Sequence, residues 1–131
     1  MGSFGIVTLA PVASTGNNTH ASQQINPDAE SLCLVFTVEA VGATPTVTFK
    51  FQGSVEDETV SDANSSWFDV PYVVAANETV AVATQVVTAV GNSPSWLVGG
   101  ISNKFFRKYR LVTTANTNVT YSSKVVSQDE E

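Results

Sequence analysis

The sequence predicts an all-β fold: an antiparallel β-sandwich, Ig-like or jelly-roll-like, carrying an extended N-terminal arm. Three observations carry this. Residues Thr46–Ser54 alternate cleanly, with Val47, Phe49 and Phe51 on one side and Thr46, Thr48, Lys50 and Gln52 on the other. That is the two-residue period of a half-buried strand. Further stretches of strand character recur at spacings of about ten residues with turn signals between them, the rhythm of sandwiches and barrels. Valine and threonine dominate while leucine is scarce, and β-branched side chains lose little freedom on a pleated strand and pack well there.

Taken in order, Ile6–Leu9 reads as a short strand stopped by Pro11. Residues 14 to 24 are mostly Ser, Thr, Asn and Gln. They read as either an extended arm or a polar edge strand; because residues 10 to 24 lack the apolar pattern to fold alone, an extended arm ordered mainly by a neighbouring molecule is expected. Asn26-Pro27-Asp28 makes a turn. In 31–41, Leu32, Leu34, Phe36 and Val38 alternate with Cys33, Val35, Thr37 and Glu39; both faces are apolar at its start, as in a central strand. Gly42–Pro45 turns the chain into Thr46–Ser54, which ends at Gly53 and an acidic loop. Trp67–Val70 is a short strand closed by Pro71, and Tyr72–Ala76 has room for one helical turn. The stretch 78–87 alternates Val80 and Val82 with Thr79, Ala81 and Ala83. Asn92–Pro94 and Gly99-Gly100 bracket a segment around Trp96 with no clear period. Lys104–Thr114 is a strand, Asn116-Thr117-Asn118 a turn, and Val119–Val126 the closing strand. The organisation is therefore an N-terminal strand and polar arm (1–30), a sandwich (31–126) and an acidic tail (127–131). Leu34, Phe36, Val38, Val47, Phe49, Phe51, Val80, Val82, Leu111 and Val119 form the expected core.

At 131 residues the chain is long enough to bury a core without disulfide or metal staples. Cys33 is the only cysteine, which excludes an internal disulfide and reads as a small buried hydrophobe. No charged segment leads into an apolar run at the start, so no signal peptide is expected. No apolar run reaches the length of a membrane span. Only 14% of residues are charged, against about a quarter in ordinary domains, so Thr, Ser and Asn must cover the outer faces. Such a surface suits a protein packed into an assembly.

The net charge of −6 argues against nucleic-acid binding, which calls for a basic domain. Charge is also segregated. Four of the six basic residues are Lys104, Arg107, Lys108 and Arg110, while acids gather at Glu56, Asp57, Glu58 and Asp62 and in the tail Asp129, Glu130 and Glu131. In an extended strand Arg107 faces opposite to Lys108 and Arg110. The latter two are expected to point at a partner, with Phe105, Tyr109 and Leu111 turned to the core and Arg107 at the rim.

No catalytic, cofactor or metal site is expected. His20 is the only histidine, lies in a polar stretch and reads as a surface residue without the partners of a triad or zinc site. The acids from Glu56 to Asp69 lack the alternate-ligand spacing and turn glycine of a calcium loop. No Gly-x-Ser-x-Gly elbow is present. Trp67 and Trp96 read as core or interface anchors; coplanar and exposed, they would instead stack on sugars. The four Asn-x-Ser/Thr sequons at Asn17, Asn64, Asn77 and Asn118 follow from composition.

One resemblance joins these motifs. Thr46-Val47-Thr48-Phe49-Lys50-Phe51-Gln52-Gly53-Ser54, an acidic loop, Trp67-Phe68-Asp69-Val70, then Tyr109-Arg110-Leu111-Val112 and the closing Asn118-Val119-Thr120-Tyr121-Ser122 resemble small structural proteins of tailed bacteriophages. The opening Ile6–Pro11 is similar to that group's first strand, while Val55-Glu56-Asp57 departs from its plain Ser-x-Asp. The resemblance covers residues 31 to 126. It implies a non-enzymatic virion structural protein, a capsid decoration (cement) or minor head protein, with decoration on the capsid exterior as the leading expectation. The implied partners are the major capsid protein and copies of the chain, as in a trimer, with no direct nucleic-acid or membrane contact. Lys104, Lys108, Arg110, Trp67 and Trp96 are the candidate partner-binding residues. A virion-displayed carbohydrate-binding module and a tail or connector component are the alternatives.

Overall fold

The computed structural model describes residues 4–25, 29–70, 72–74, 80–81, 84–88, 95–102 and 106–129. The strands are β1 (Phe4–Ser14), β2 (Ala29–Ala40), β3 (Thr46–Ser54), β4 (Trp67–Asp69), β5 (Tyr72–Val74), β6 (Val80–Ala81), β7 (Thr84–Thr88), β8 (Ser95–Ser102), β9 (Lys108–Thr117) and β10 (Val119–Asp129). One sheet runs β1-β10-β2-β8-β5-β6. In the other, β3 pairs along its length with β9, while its opposite side takes β7 at Thr46–Lys50 and β4 at Gln52–Ser54. All these pairings are antiparallel, and the architecture is the expected sandwich.

The alternating sets close the space between the sheets. Leu34, Phe36, Val38, Val47, Phe49, Phe51, Leu111 and Val119 are all buried; Val80 and Val82, from the same expected core, lie outside the residues whose side chains are described. The Phe36 and Phe49 rings stack across the sandwich at 4.3 Å, Tyr121 joins Phe36 at 5.4 Å, and Phe51 stacks on Tyr109 at 5.0 Å. Such aromatic pairs add to simple area burial. Gly53 lies where a Cβ would come 2.5 Å from Cγ of Phe106, so this glycine lets the Phe106 ring close the end of the core.

Several boundaries differ from the sequence reading. β1 runs past Pro11 to Ser14. It is an edge strand with register shifts around Ala10, and an edge with bulges tolerates a residue that has no N–H to donate. The stretch 78–87 is divided between the sheets, Val80–Ala81 in the first and Thr84–Thr88 in the second. The segment around Trp96 is a strand inside the first sheet, and Tyr72–Val74 pairs with it instead of making a helical turn. Cys33 is only partly buried, on the outer face of that sheet. The chain crosses from β9 to β10 through Ala115 and Asn118 at positive φ. Asn118 tolerates that region, and its side-chain amide donates to Ala43 O at 2.7 Å.

The polar arm corrects the expectation most clearly. Residues 18–23 lie along β9 within the same molecule. Asn18 and Thr113 exchange backbone hydrogen bonds, as do Gln23 and Tyr109, and the His20 amide donates to Leu111 O at 3.0 Å. An edge strand leaves a free row of backbone donors and acceptors, and that row on β9 orders the arm without any apolar stripe of its own.

Candidate functional site

The outer face of the second sheet gathers most of the charged and aromatic residues of interest. Register sets them in two rows across β4, β3 and β9. Asp69, Gln52 and Arg110 face one another in the first row, and Trp67, Ser54 and Lys108 in the second. Residues two apart on a strand share a face, so both rows lie on the side away from the core.

Gln52 is the hub of the first row. Its Oε1 accepts a hydrogen bond from Arg110 Nε at 2.9 Å, and its Nε2 donates to Asp69 Oδ1 at 2.8 Å. Lys50, one step along β3, reaches Asp69 at 4.0 Å. Thus the amide fixes the guanidinium plane, and the guanidinium carbon lies 4.0 Å from the Trp67 ring centroid. That is a cation–π contact. Burial pulls the Arg110 pKa down, opposed by the Asp62 charge, so the guanidinium is partly removed from water. Trp67 is half-buried, with its indole N–H donating to the Asp62 carbonyl at 3.0 Å.

Lys108 behaves differently from the sequence reading. It is 1% exposed, and its Nζ donates to Val60 O at 2.7 Å and to Asp62 Oδ1 at 3.4 Å. The expectation that it points outward is corrected: the face was identified properly, but the acidic loop 55–66 folds down over it. Asp62 is the fastener. Its carboxylate accepts from the Ser22 amide at 2.9 Å and the Ser22 hydroxyl at 2.6 Å, so one side chain joins the loop, the arm and β9. Burial raises the Asp62 pKa, but the Ser22 and Lys108 hydrogen bonds outweigh it and hold the carboxyl below its ordinary value. Arg107 projects to solvent and pairs loosely with Asp57 at 3.9 Å.

The loop carboxylates face separate partners. Glu56 accepts from the Ser54 hydroxyl at 2.5 Å and the Ser66 amide at 2.9 Å, while Asp57 accepts from the Thr59 amide at 2.9 Å. Hydrogen bonds from Ser54 and Thr59 respectively hold these two groups below their usual range. Among the described residues no three His, Cys, Asp or Glu side chains converge as a metal site. Lys104 and the side chain of Trp96 lie outside the described residues. Of the five candidate partner-binding residues, the structure therefore brings Trp67, Arg110 and Lys108 together, with Lys108 beneath the surface. Gln52, Lys50 and Asp69 complete this face and were not singled out from sequence; the signal was their shared parity in Lys50-x-Gln52 and Trp67-x-Asp69.

A second polar group sits around Tyr121 at the arm. His20 is part-buried rather than a free surface residue, with Nε2 2.7 Å from Tyr121 Oη.

No protein-family model and no curated protein sequence matches the chain. Solved structures do. The SPBc2 prophage-derived protein YomS matches with a TM-score of 0.66 at 11% identity, covering 98% of this chain and 96% of that one. The PBSX exported protein XepA matches with a TM-score of 0.63 at 15% identity over 98% of this chain; the match spans 38% of XepA. A chain of infectious bursal disease virus, Gx strain, matches with a TM-score of 0.50 at 10% identity, covering 98% of this chain and 33% of that one. At these identities the likeness establishes the fold, a sandwich shared with phage-derived and viral proteins.

Proposed function

We propose that this chain is a non-enzymatic structural protein of a tailed-phage virion, specifically a decoration protein that binds the outside of the assembled head. The observation that carries this reading is the end-to-end likeness of its sandwich to a prophage-derived protein of nearly the same extent. The charged face supports it. Trp and Arg are the residue types that anchor protein interfaces, and here they are pre-stacked and held by Gln52, which lowers the ordering cost of docking. A decoration protein stabilises a shell by binding the assembled form better than its parts, and symmetric contacts around an axis favour small clusters such as trimers.

The test is binding of purified protein to shells stripped of it, at graded salt. Arg110→Gln and Lys50→Gln should weaken attachment and flatten its salt dependence, because each removes a screened charge contact. Binding to a glycan with no binding to shells would move the conclusion to a carbohydrate module. A second reading rests on XepA being an exported protein: a phage protein released from the cell. Recovery in the soluble fraction after lysis, with none on purified particles, would favour it.

A further inference from the structure

The contacts of Tyr121 specify a protonation state. Its hydroxyl, on a side chain 2% exposed, has three polar neighbours: Thr113 Oγ1 at 2.7 Å, His20 Nε2 at 2.7 Å and Asn18 Nδ2 at 3.0 Å. A phenol has one proton to donate, and an amide NH2 only donates. Asn18 is therefore a donor to Tyr121. Thr113 Oγ1 in turn accepts from the Asn18 backbone amide at 3.2 Å, and Thr113 is 1% exposed.

One arrangement pairs every proton. Thr113 donates to Tyr121, and Tyr121 donates to an unprotonated Nε2 of His20. If Nε2 carries a proton, His20 must donate to Tyr121 and Tyr121 must donate to Thr113. The Thr113 hydroxyl proton then has no acceptor among the described residues, in a buried position where an unmade hydrogen bond is costly. The network accepts neutral His20 and opposes imidazolium. Tyr121 of β10 is the titratable group facing the ring; Thr113 of β9 and Asn18 of the arm are neutral, and no described carboxylate forms an ion pair with His20.

We propose that His20 is a proton-sensitive latch: the arm stays docked on β9 while His20 is neutral, and protonation releases it from the Asn18–His20 end. Burial lowers the His20 pKa from its ordinary value of 6.5, in the direction this requires. With folded pKa below unfolded pKa, docking is fully stable above the ordinary value and weakens as pH falls through it. The bonds lost first are His20 N–H to Leu111 O and the Asn18–Thr113 pair. The Gln23–Tyr109 pair stays, because Ser22 remains held by ionised Asp62. Opening at the His20 end uncovers backbone groups of β9 at Leu111 and Thr113, an edge available to another strand.

The experiment is residue-resolved amide exchange on the full chain between roughly pH 8 and pH 5, each rate divided by its intrinsic value. Thr113 and His20 amides are expected to lose protection severalfold on acidification. Tyr109 and Phe49 amides should hold theirs. His20→Gln, which keeps an acceptor but does not titrate in this range, should abolish the pH dependence, and a histidine NMR titration should give a midpoint below 6.5. Three outcomes would overturn the latch: protection at Thr113 independent of pH, an equal loss at Phe49 that marks global unfolding, or unchanged pH dependence in His20→Gln.

Discussion

Replacing Lys108 tests how the loop is held over the charged face. The ammonium is buried and contacts Val60 O at 2.7 Å and Asp62 Oδ1 at 3.4 Å. A hydrogen bond to a charged group contributes about 1.5–3 kcal/mol. The pair with Asp62 adds less, because the Asp62 side chain is 34% exposed and water screens it. Relief of the desolvation cost of the buried charge offsets part of the loss. Lys108→Met keeps most of the buried apolar stem and should cost about 1.5–3 kcal/mol. Lys108→Ala also removes three methylenes, at about 0.8 kcal/mol each, and should cost about 4–5 kcal/mol. Denaturant unfolding followed by tryptophan fluorescence reads both, provided the slope is unchanged. A double-mutant cycle with Asp62→Asn should return a coupling of about 0.5–1 kcal/mol. A Met variant as stable as the parent would show that the ammonium contributes nothing net. Met and Ala variants with equal loss would show that stem packing does not matter.

Phe49→Ala removes the ring stacked on Phe36 at the centre of the sandwich and should cost about 3–5 kcal/mol by thermal or chemical unfolding. Gly53→Ala should displace the Phe106 ring, whose Cγ would be 2.5 Å from the new Cβ, costing about 1–3 kcal/mol and shifting the Phe106 resonances. Acid should loosen the loop. Glu56 and Asp62 have folded pKa values below their ordinary 4.5 and 3.8, so their stabilisation is complete above those values and disappears as pH falls through the lower folded ones. Loop amides such as Ser66 should therefore lose protection below about pH 4, and persistence of that protection in strong acid would contradict the assignment.

Strand alternation determined a great deal without any structure. The parity of Val47, Phe49 and Phe51, of Leu34, Phe36 and Val38, and of Tyr109 and Leu111 placed each on the core side, because a two-residue period allows only two choices of face and burial selects one. The same parity placed Lys108 and Arg110 on the outward side of their strand and Lys50 and Gln52 on the outward side of theirs, while the pairing that joins the two sets is a feature of the tertiary structure. The burial of Lys108 had no signal in its own strand: the cover comes from a loop some fifty residues earlier, and which face a loop folds onto depends on long-range closure. The arm is a similar case. Residues 18–23 carry no apolar period, and what orders them is the unpaired backbone row of β9, a hydrogen-bonding surface that side-chain pattern does not encode. His20, read as an isolated polar residue, acquires its chemistry from Tyr121, 101 positions away. Local periodicity determined the faces of the strands because it is a property of neighbouring residues. Only the tertiary structure decided which polar groups met across the sandwich and which were covered, because those contacts are made between segments far apart in the chain.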